Sequence, residues 1–516
     1  MSSPVLPSSS ASGASQQGTL LWLLGLLLVL APLYRAGNRP LPSLVLELGA
    51  LMLLVAVFWS PPRDLVGRSE AFALGVLVVF PLLYLVPLPG GVVAQWLPGR
   101  ELYAAGMSLL GLDPADVAAS VAIVPFAAES SWLSLLVPVA AFIATRALPT
   151  RRLLQLVMLL LVIAAVEAAL GLMQLGQEKG SPLYWGMTFS NFGTAVGTYA
   201  NHNHLAGLLE MVLPISLALL IYSIGRGSEG RASAGWRGRA VFYSTLRGHA
   251  AVRYGMLSLL LLVGLIFTRS RTGVALAILG ILLVTFALSR RIGGENVRAP
   301  IKTIVALALG IGVSIGLVPV IDRFTSLDPF EDSRWGIFSA TIHGIGALFP
   351  FGSGPGGYVS VFSAFQPVDL SPWRIDYAHN DYLQWLFEGG LFAGLLILLL
   401  VGLYLVRWRR IWTQGAWSRF RFVQVGAGIG LFLLMLHELV DYNLRIPANI
   451  LYFAFLAGVF FADADEETAM SRRKRRRRTP DLDIPSSPEG AQPVLDTINT
   501  APRGPMLDQI KHPFAD

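Results

Sequence analysis

Long apolar runs, each closed by a short polar stretch, recur along the chain. About twelve reach or approach the roughly 17–25 residues that carry a helix across a bilayer. They fall near 18–34, 41–59, 71–88, 131–148, 152–174, 204–224, 254–268, 272–289, 301–320, 383–406, 422–441 and 447–462. So little separates the seventh run from the eighth that residues 269–272 predict a tight hairpin turn. The pattern predicts an all-α fold, a polytopic transmembrane helical bundle, with one long connection over about 321–382 between the ninth and tenth spans.

Composition agrees. Of 516 residues, 54% are hydrophobic and 14% charged, against about 25% charged in a soluble domain. There is no cysteine, which removes disulfides, thiolate nucleophiles and cysteine-based metal sites. Residues 1–17 carry no charged side chain, so the basic start of a cleaved signal peptide is missing. They read as a disordered cytoplasmic tail ahead of a retained first span. Residues 18–462 read as the transmembrane domain, and 463–516 as a second disordered tail containing RRKRRRR at 472–478. Beside a membrane span, such a run marks the cytoplasmic side and touches anionic lipid. That reading is preferred here to nucleic-acid binding.

Placing the N-terminus in the cytoplasm puts most of the 39 lysines and arginines in inside loops, as the positive-inside rule requires. Both termini are then cytoplasmic. Six arginines of the second half break the trend: Arg269, Arg271, Arg323, Arg334, Arg374 and Arg445. His202, His204, His343, His379 and His437 fall on or near the same outer side.

These residues lie in four patches: GTYANHNHLAG (197–207), TRSRTG (268–273), the long loop with DSRWGIF, FPFGSGPGGY and YAHNDYLQ, and HELVDYNLRIPANI (437–450). Each has a structural alternative. Asn201, His202 and His204 either cap a helix starting at His204 or contact substrate. No third ligand at a recognised spacing makes His202 and His204 a metal site. Arg269 and Arg271 either snorkel to headgroups or hold an anion. FGSGPGGY lacks the lysine ending of a phosphate loop and reads as a backbone bend. HELVDYN reads as a buried polar network between helices.

His379, followed by Asn380 and preceded by Arg374, is the strongest candidate for chemistry. A neutral imidazole accepts a proton from a hydroxyl near physiological pH. Guanidinium groups match phosphate oxygens as planar forks. A base beside such forks predicts transfer from a phosphate-linked donor.

From about 190 to 460 the chain resembles the O-antigen ligase and O-antigen polymerase superfamily of bacterial envelope enzymes. The resemblance rests on the order of several pieces: the Asn/His segment followed by LEMVLP (209–214), the SRTG turn, Arg334 before a Trp, PFGSGPGGY, HNDYLQWLFEGG and HELVDYNLRIPAN. It implies a glycosyltransferase-C-like helical fold, with a periplasmic active site in the bacterial inner membrane. It also implies a glycan donor on undecaprenyl diphosphate, and a glycan or lipid A-core acceptor. On it, His379 is the general base and Arg334 and Arg271 hold the diphosphate, with Arg269 as an alternative to Arg271. Substrate contacts are expected from Asn201, His202, His204, Asn380 and Arg374, with no cofactor and no metal. Gly390 fits the family pattern after the His–Asn pair, but Ala393 stands where Gly, Thr or Tyr is usual, which weakens placement in the ligase branch. A protein O-oligosaccharyltransferase and a polytopic transporter or flippase are the competing readings.

Overall fold

The computed structural model describes residues 9–59, 65–113, 116, 118–178, 180–184, 193–225, 241–289, 302, 303, 306, 310, 329–370, 373–414 and 417–463. The chain divides into residues 1–468 and 469–516, and every described residue lies in the first unit. The helices are α1 (Ser9–Leu30), α2 (Pro40–Phe58), α3 (Arg68–Leu83), α4 (Gly90–Trp96), α5 (Glu101–Leu109), α6 (Pro125–Ser134), α7 (Leu136–Ala147) and α8 (Thr150–Gln174). They continue with α9 (His202–Gly225), α10 (Leu246–Phe267), α11 (Arg271–Ser289), α12 (Pro329–Leu348), α13 (Tyr358–Val361), α14 (Asp381–Thr413), α15 (Arg419–His437) and α16 (Pro447–Phe461). The only sheet among the described residues is a two-stranded antiparallel one, β1 (Pro87–Pro89) with β2 (Ala118–Ser120).

Eight helical stretches among the described residues are long and apolar enough to cross a membrane: α2, α6 with α7, α8, α9, α10, α11, α14 and α15. Residues 15–30 of α1 and all of α16 are apolar but shorter, and α3 has only 16 residues with Pro81 inside. The chain is therefore a polytopic helical membrane protein. The expected span at 301–320 and the start of the long loop, with Arg323, lie outside the described residues apart from a few positions. So does the basic tail. At the other end, helix begins at Ser9, inside the stretch expected to be an irregular tail. Once the apolar run has nucleated a helix, adding each Ala, Ser or Gln gains one backbone bond at little further cost.

Two helices form the centre. The most apolar window of α9 is 94% buried and that of α15 is 83% buried, against 22% for α14. Glycine allows the close approach of this central pair: a Cβ on Gly426 would stand 2.7 Å from the Ile215 Cα. Small residues four apart let helix backbones touch where lipid tails give no hydrophobic drive between helices.

The long loop is tied to a break in α14. At Gly390 the backbone turns to φ +54°, ψ −138°, a conformation open to glycine. Ser353 and Gly354 donate their N–H groups to the Phe387 and Glu388 carbonyls at 2.9 and 2.8 Å, and Leu391 donates to Pro350 at 2.9 Å. These donors of the glycine-rich loop are thus spent on backbone freed by the helix break, which fits the bend reading over a phosphate cradle. The segment between α3 and α6 packs on the same loop. There Arg100, 1% exposed, donates to the Gly352 carbonyl at 2.9 Å and to Val121.

Candidate active site

The first turns of α9, α11, α14 and α16 meet the last turns of α10 and α15 at one end of the bundle. Gly273 of α11 packs on Ala206 of α9, where an added Cβ would come within 2.8 Å. Ala195 N–H bonds the Phe267 carbonyl at 2.9 Å, and Asp381 N–H bonds the Glu438 carbonyl at 2.9 Å. Asn449 of α16 donates to the His204 carbonyl at 3.0 Å. The stretch before α9 is anchored by Glu167 of α8, which accepts from the N–H and hydroxyl of Thr198, both at 2.9 Å.

Asn201 opens α9: its side chain accepts from the Asn203 N–H at 2.9 Å, so the helix starts at His202 rather than His204. Asn380 does the same for α14, accepting from Leu383 N–H at 3.0 Å while donating to the Leu439 carbonyl at 2.9 Å. Both asparagines expected to contact substrate are therefore used as caps, and Asn380 also pins the 438–446 loop.

His379 sits one residue before that cap with φ +53°. A non-glycine residue there is uncommon, and such outliers concentrate where the surroundings over-determine a functional geometry. Its Nδ1 lies 4.0 Å from Asp441 Oδ1. The same oxygen is 3.8 Å from His204 Nε2 and accepts the Tyr442 N–H at 2.9 Å. Tyr442 stands between the two imidazoles, edge-on to each, with ring centroids 4.8 Å from His204 and 5.0 Å from His379. Its own face is stacked on Tyr377 at 4.1 Å. Arg334 of α12 reaches this loop and donates to the Val440 carbonyl at 3.1 Å.

The electrostatics follow from this crowding. Burial pushes the His379 imidazole down to about 4; Asp441 opposes the fall, and Arg334 and His204 add to it. The ring is therefore neutral at physiological pH. Burial works to raise the Asp441 carboxyl, but the imidazole of His204 at 3.8 Å, with His437 and His379 beyond, holds it below the ordinary range. One carboxylate thus faces several basic groups.

Arg269 occupies the turn before α11, again at positive φ (+57°), with its guanidinium toward Gly193. Arg271 is the first residue of α11. His202 is buried in the first turn of α9. These three share the end of the bundle that holds His379 and Arg334. Arg374 stands apart on the surface, its side chain 79% exposed and paired with Asp376 at 2.9 Å.

Sequence reasoning missed Asp441, Tyr442 and Tyr377. An acidic residue four places after His437, in a loop on the histidine-rich side, was the available signal. The reading of HELVDYN as a network between helices fits His437, and the network continues to Arg445 just beyond the motif. His437 Nδ1 meets Glu210 Oε1 of α9 at 2.9 Å in full burial. Arg445 bonds Asp381 at 3.0 Å and Glu388 at 3.2 Å.

In comparison with known families, residues 256–398 match the family model described as O-antigen ligase. The resemblance read from the motifs therefore holds over this segment, which takes in Arg269, Arg271, Arg334, His379 and Asn380. His204, Asp441 and Tyr442 lie outside it. Comparison with curated proteins gives no match.

Proposed function

We propose that this chain, which carries an O-antigen ligase segment over residues 256–398, is a membrane glycosyltransferase. It moves a glycan from undecaprenyl diphosphate to an acceptor hydroxyl at the periplasmic face of the inner membrane. The observation that carries the reading is the meeting of His379, Asp441 and Arg334 at one loop, with the imidazole neutral. The acceptor is a growing glycan or a lipid A core. The topology that goes with this reading is a twelve-span bundle of glycosyltransferase-C type with both termini cytoplasmic.

His379 takes the acceptor proton on Nε2, since Nδ1 faces Asp441. The acceptor oxygen attacks the anomeric carbon, and a new C–O bond forms with inversion. The bond from that carbon to the diphosphate oxygen breaks, and the electron pair leaves with the diphosphate. Arg334 stabilises the charge as it develops, and Arg271 or Arg269 supplies a second fork. Asp441 stabilises the imidazolium that results. With arginine forks neutralising the leaving group, the scheme calls on no divalent cation.

The test supplies purified protein in vesicles with a polyprenyl-diphosphate glycan and an acceptor. Release of free polyprenyl diphosphate together with a lengthened acceptor supports transfer. Passage of intact donor across the membrane without cleavage overturns it in favour of a transporter.

A further inference from the structure

A cavity of about 590 Å³ lies between α8, α10 and the first residue of α15. It stands at the end of the bundle away from His379. Gln174 closes α8 beside the site, where it donates to the Gly197 carbonyl at 2.7 Å. The cavity begins at Met158, toward the other end of that helix. Arg253 comes early in α10, whose last turn reaches the site, and Arg419 opens α15, which delivers His437 there.

The wall has an apolar part and a cationic part. Met158, Leu161, Val162, Ala165, Val166 and Ala169 line it from α8. Their three- and four-residue steps place them on one face of the helix, and the two alanines make that face a trench. From Met158 to Ala169 the trench runs about 17 Å at 1.5 Å per residue, close to half of the roughly 30 Å hydrocarbon core of a bilayer. Val162 and Val166 are each 58% exposed, so the trench opens sideways, toward lipid.

Arg253 and Arg419 stand at its foot. Arg419 Nη2 donates to the Tyr254 hydroxyl at 2.7 Å, and that hydroxyl donates to the Met158 sulfur at 3.6 Å. These bonds fix the guanidinium at the mouth of the trench. Among the described residues its Nε and Nη1 have no partner, and neither arginine has a carboxylate partner. Open guanidinium forks match phosphate oxygens, and basic pockets between membrane helices hold anionic headgroups.

We propose that this trench binds one anionic phospholipid of the leaflet remote from His379. Its phosphate lies at Arg253 and Arg419, and one acyl chain lies along α8. Charge and depth select this occupant. A zwitterionic headgroup brings its own cation to the arginines, and a lipid diphosphate held here would carry its charge at the wrong end of the bundle for His379. The inference stands apart from the transferase reading.

The experiment uses the full chain in detergent, stripped of lipid and titrated with phosphatidylglycerol or with phosphatidylcholine of the same acyl chains. Native mass spectrometry counts the bound lipids, and thermal unfolding reads their effect. The expected result is one tight site for phosphatidylglycerol, at least tenfold weaker for phosphatidylcholine, with a melting temperature raised as that site fills. Arg253→Gln together with Arg419→Gln should bring phosphatidylglycerol down to the affinity of phosphatidylcholine. Arg253→Gln alone, at an exposed position, serves should the double variant fold poorly. Ala165→Trp fills the trench and should weaken binding at least tenfold with both arginines in place. The basic run at 472–478 is common to all variants, so a difference between them reports on the trench. Unchanged affinity in the folded variants overturns the proposal, as does equal affinity for the two lipids. Displacement of the lipid by inorganic phosphate would make this a site for a free anion, and displacement by an equal concentration of polyprenyl phosphate a site for the carrier. Either overturns the phospholipid assignment.

Discussion

Two charged clusters share the short 438–446 loop, and they are built on opposite principles. Around Asp441 one carboxylate meets His204 and His379, with Arg334 at Val440. Around Arg445 one guanidinium meets Asp381 and Glu388, and Gln384 bonds Glu388 as well at 3.2 Å. The first cluster gathers the imidazoles of His204 and His379 and the Arg334 guanidinium at Asp441, with His437 spent on Glu210 behind it, and presents Arg334 to an added anion. The second is closed: its charges bond one another, and burial together with Asp381 raises the Glu438 carboxyl well above its ordinary range. Arginines placed alike on the outer side in the sequence thus divide into one that can serve a ligand and one that holds helices together.

The sharpest way to break this contrast is to remove a member of each cluster. His379→Ala should lower turnover by about 10²–10⁴-fold, the range for a positioned general base, while the melting temperature in detergent stays near wild type. Arg445→Ala should do the reverse. It strands Asp381 and Glu388 in the interior, a loss of about 3–5 kcal/mol for a broken buried pair, seen as a collapse in melting temperature and yield. Normal turnover in the first variant, or normal stability in the second, would undo the division.

Arg334→Gln tests the open cluster by sign. Arg334 depresses the His379 pKa, so its removal should move the acid limb of the kcat/KM profile upward from about 4. It should also reduce turnover by about 10²-fold, as for loss of one charge-stabilising donor. An acid limb that stays put would separate the two residues. The smallest effect belongs to Asn380→Ala, which should lower stability by about 1 kcal/mol, the usual value of an N-cap, measured by denaturant or thermal unfolding.

Much of this was legible in the chain because it depends on local pattern. Apolar length marked the membrane class, and the glycines of 352–357 marked a bend. The charge bias singled out Arg334 and the TRSRTG turn as exceptions. What was not legible depends on contacts between distant segments. Asp441 matters because α15 delivers it between two histidines from α9 and the α14 entry. Arg445 and Arg374 look alike in sequence, yet one is locked among carboxylates and the other stands in solvent. The burial of Arg100 under the glycine-rich loop had no local signal, since a lone arginine in a polar connection reads as solvated.

The most direct test follows His379 itself. Protein labelled with ¹⁵N-histidine, with His379→Gln as the assignment control, is titrated by NMR with and without inorganic diphosphate. The account predicts a ring that titrates near 4 when the site is empty and markedly higher with diphosphate bound, because a nearby anion favours the imidazolium. A ring that titrates near 6.5, the ordinary histidine value, and is indifferent to diphosphate would contradict it.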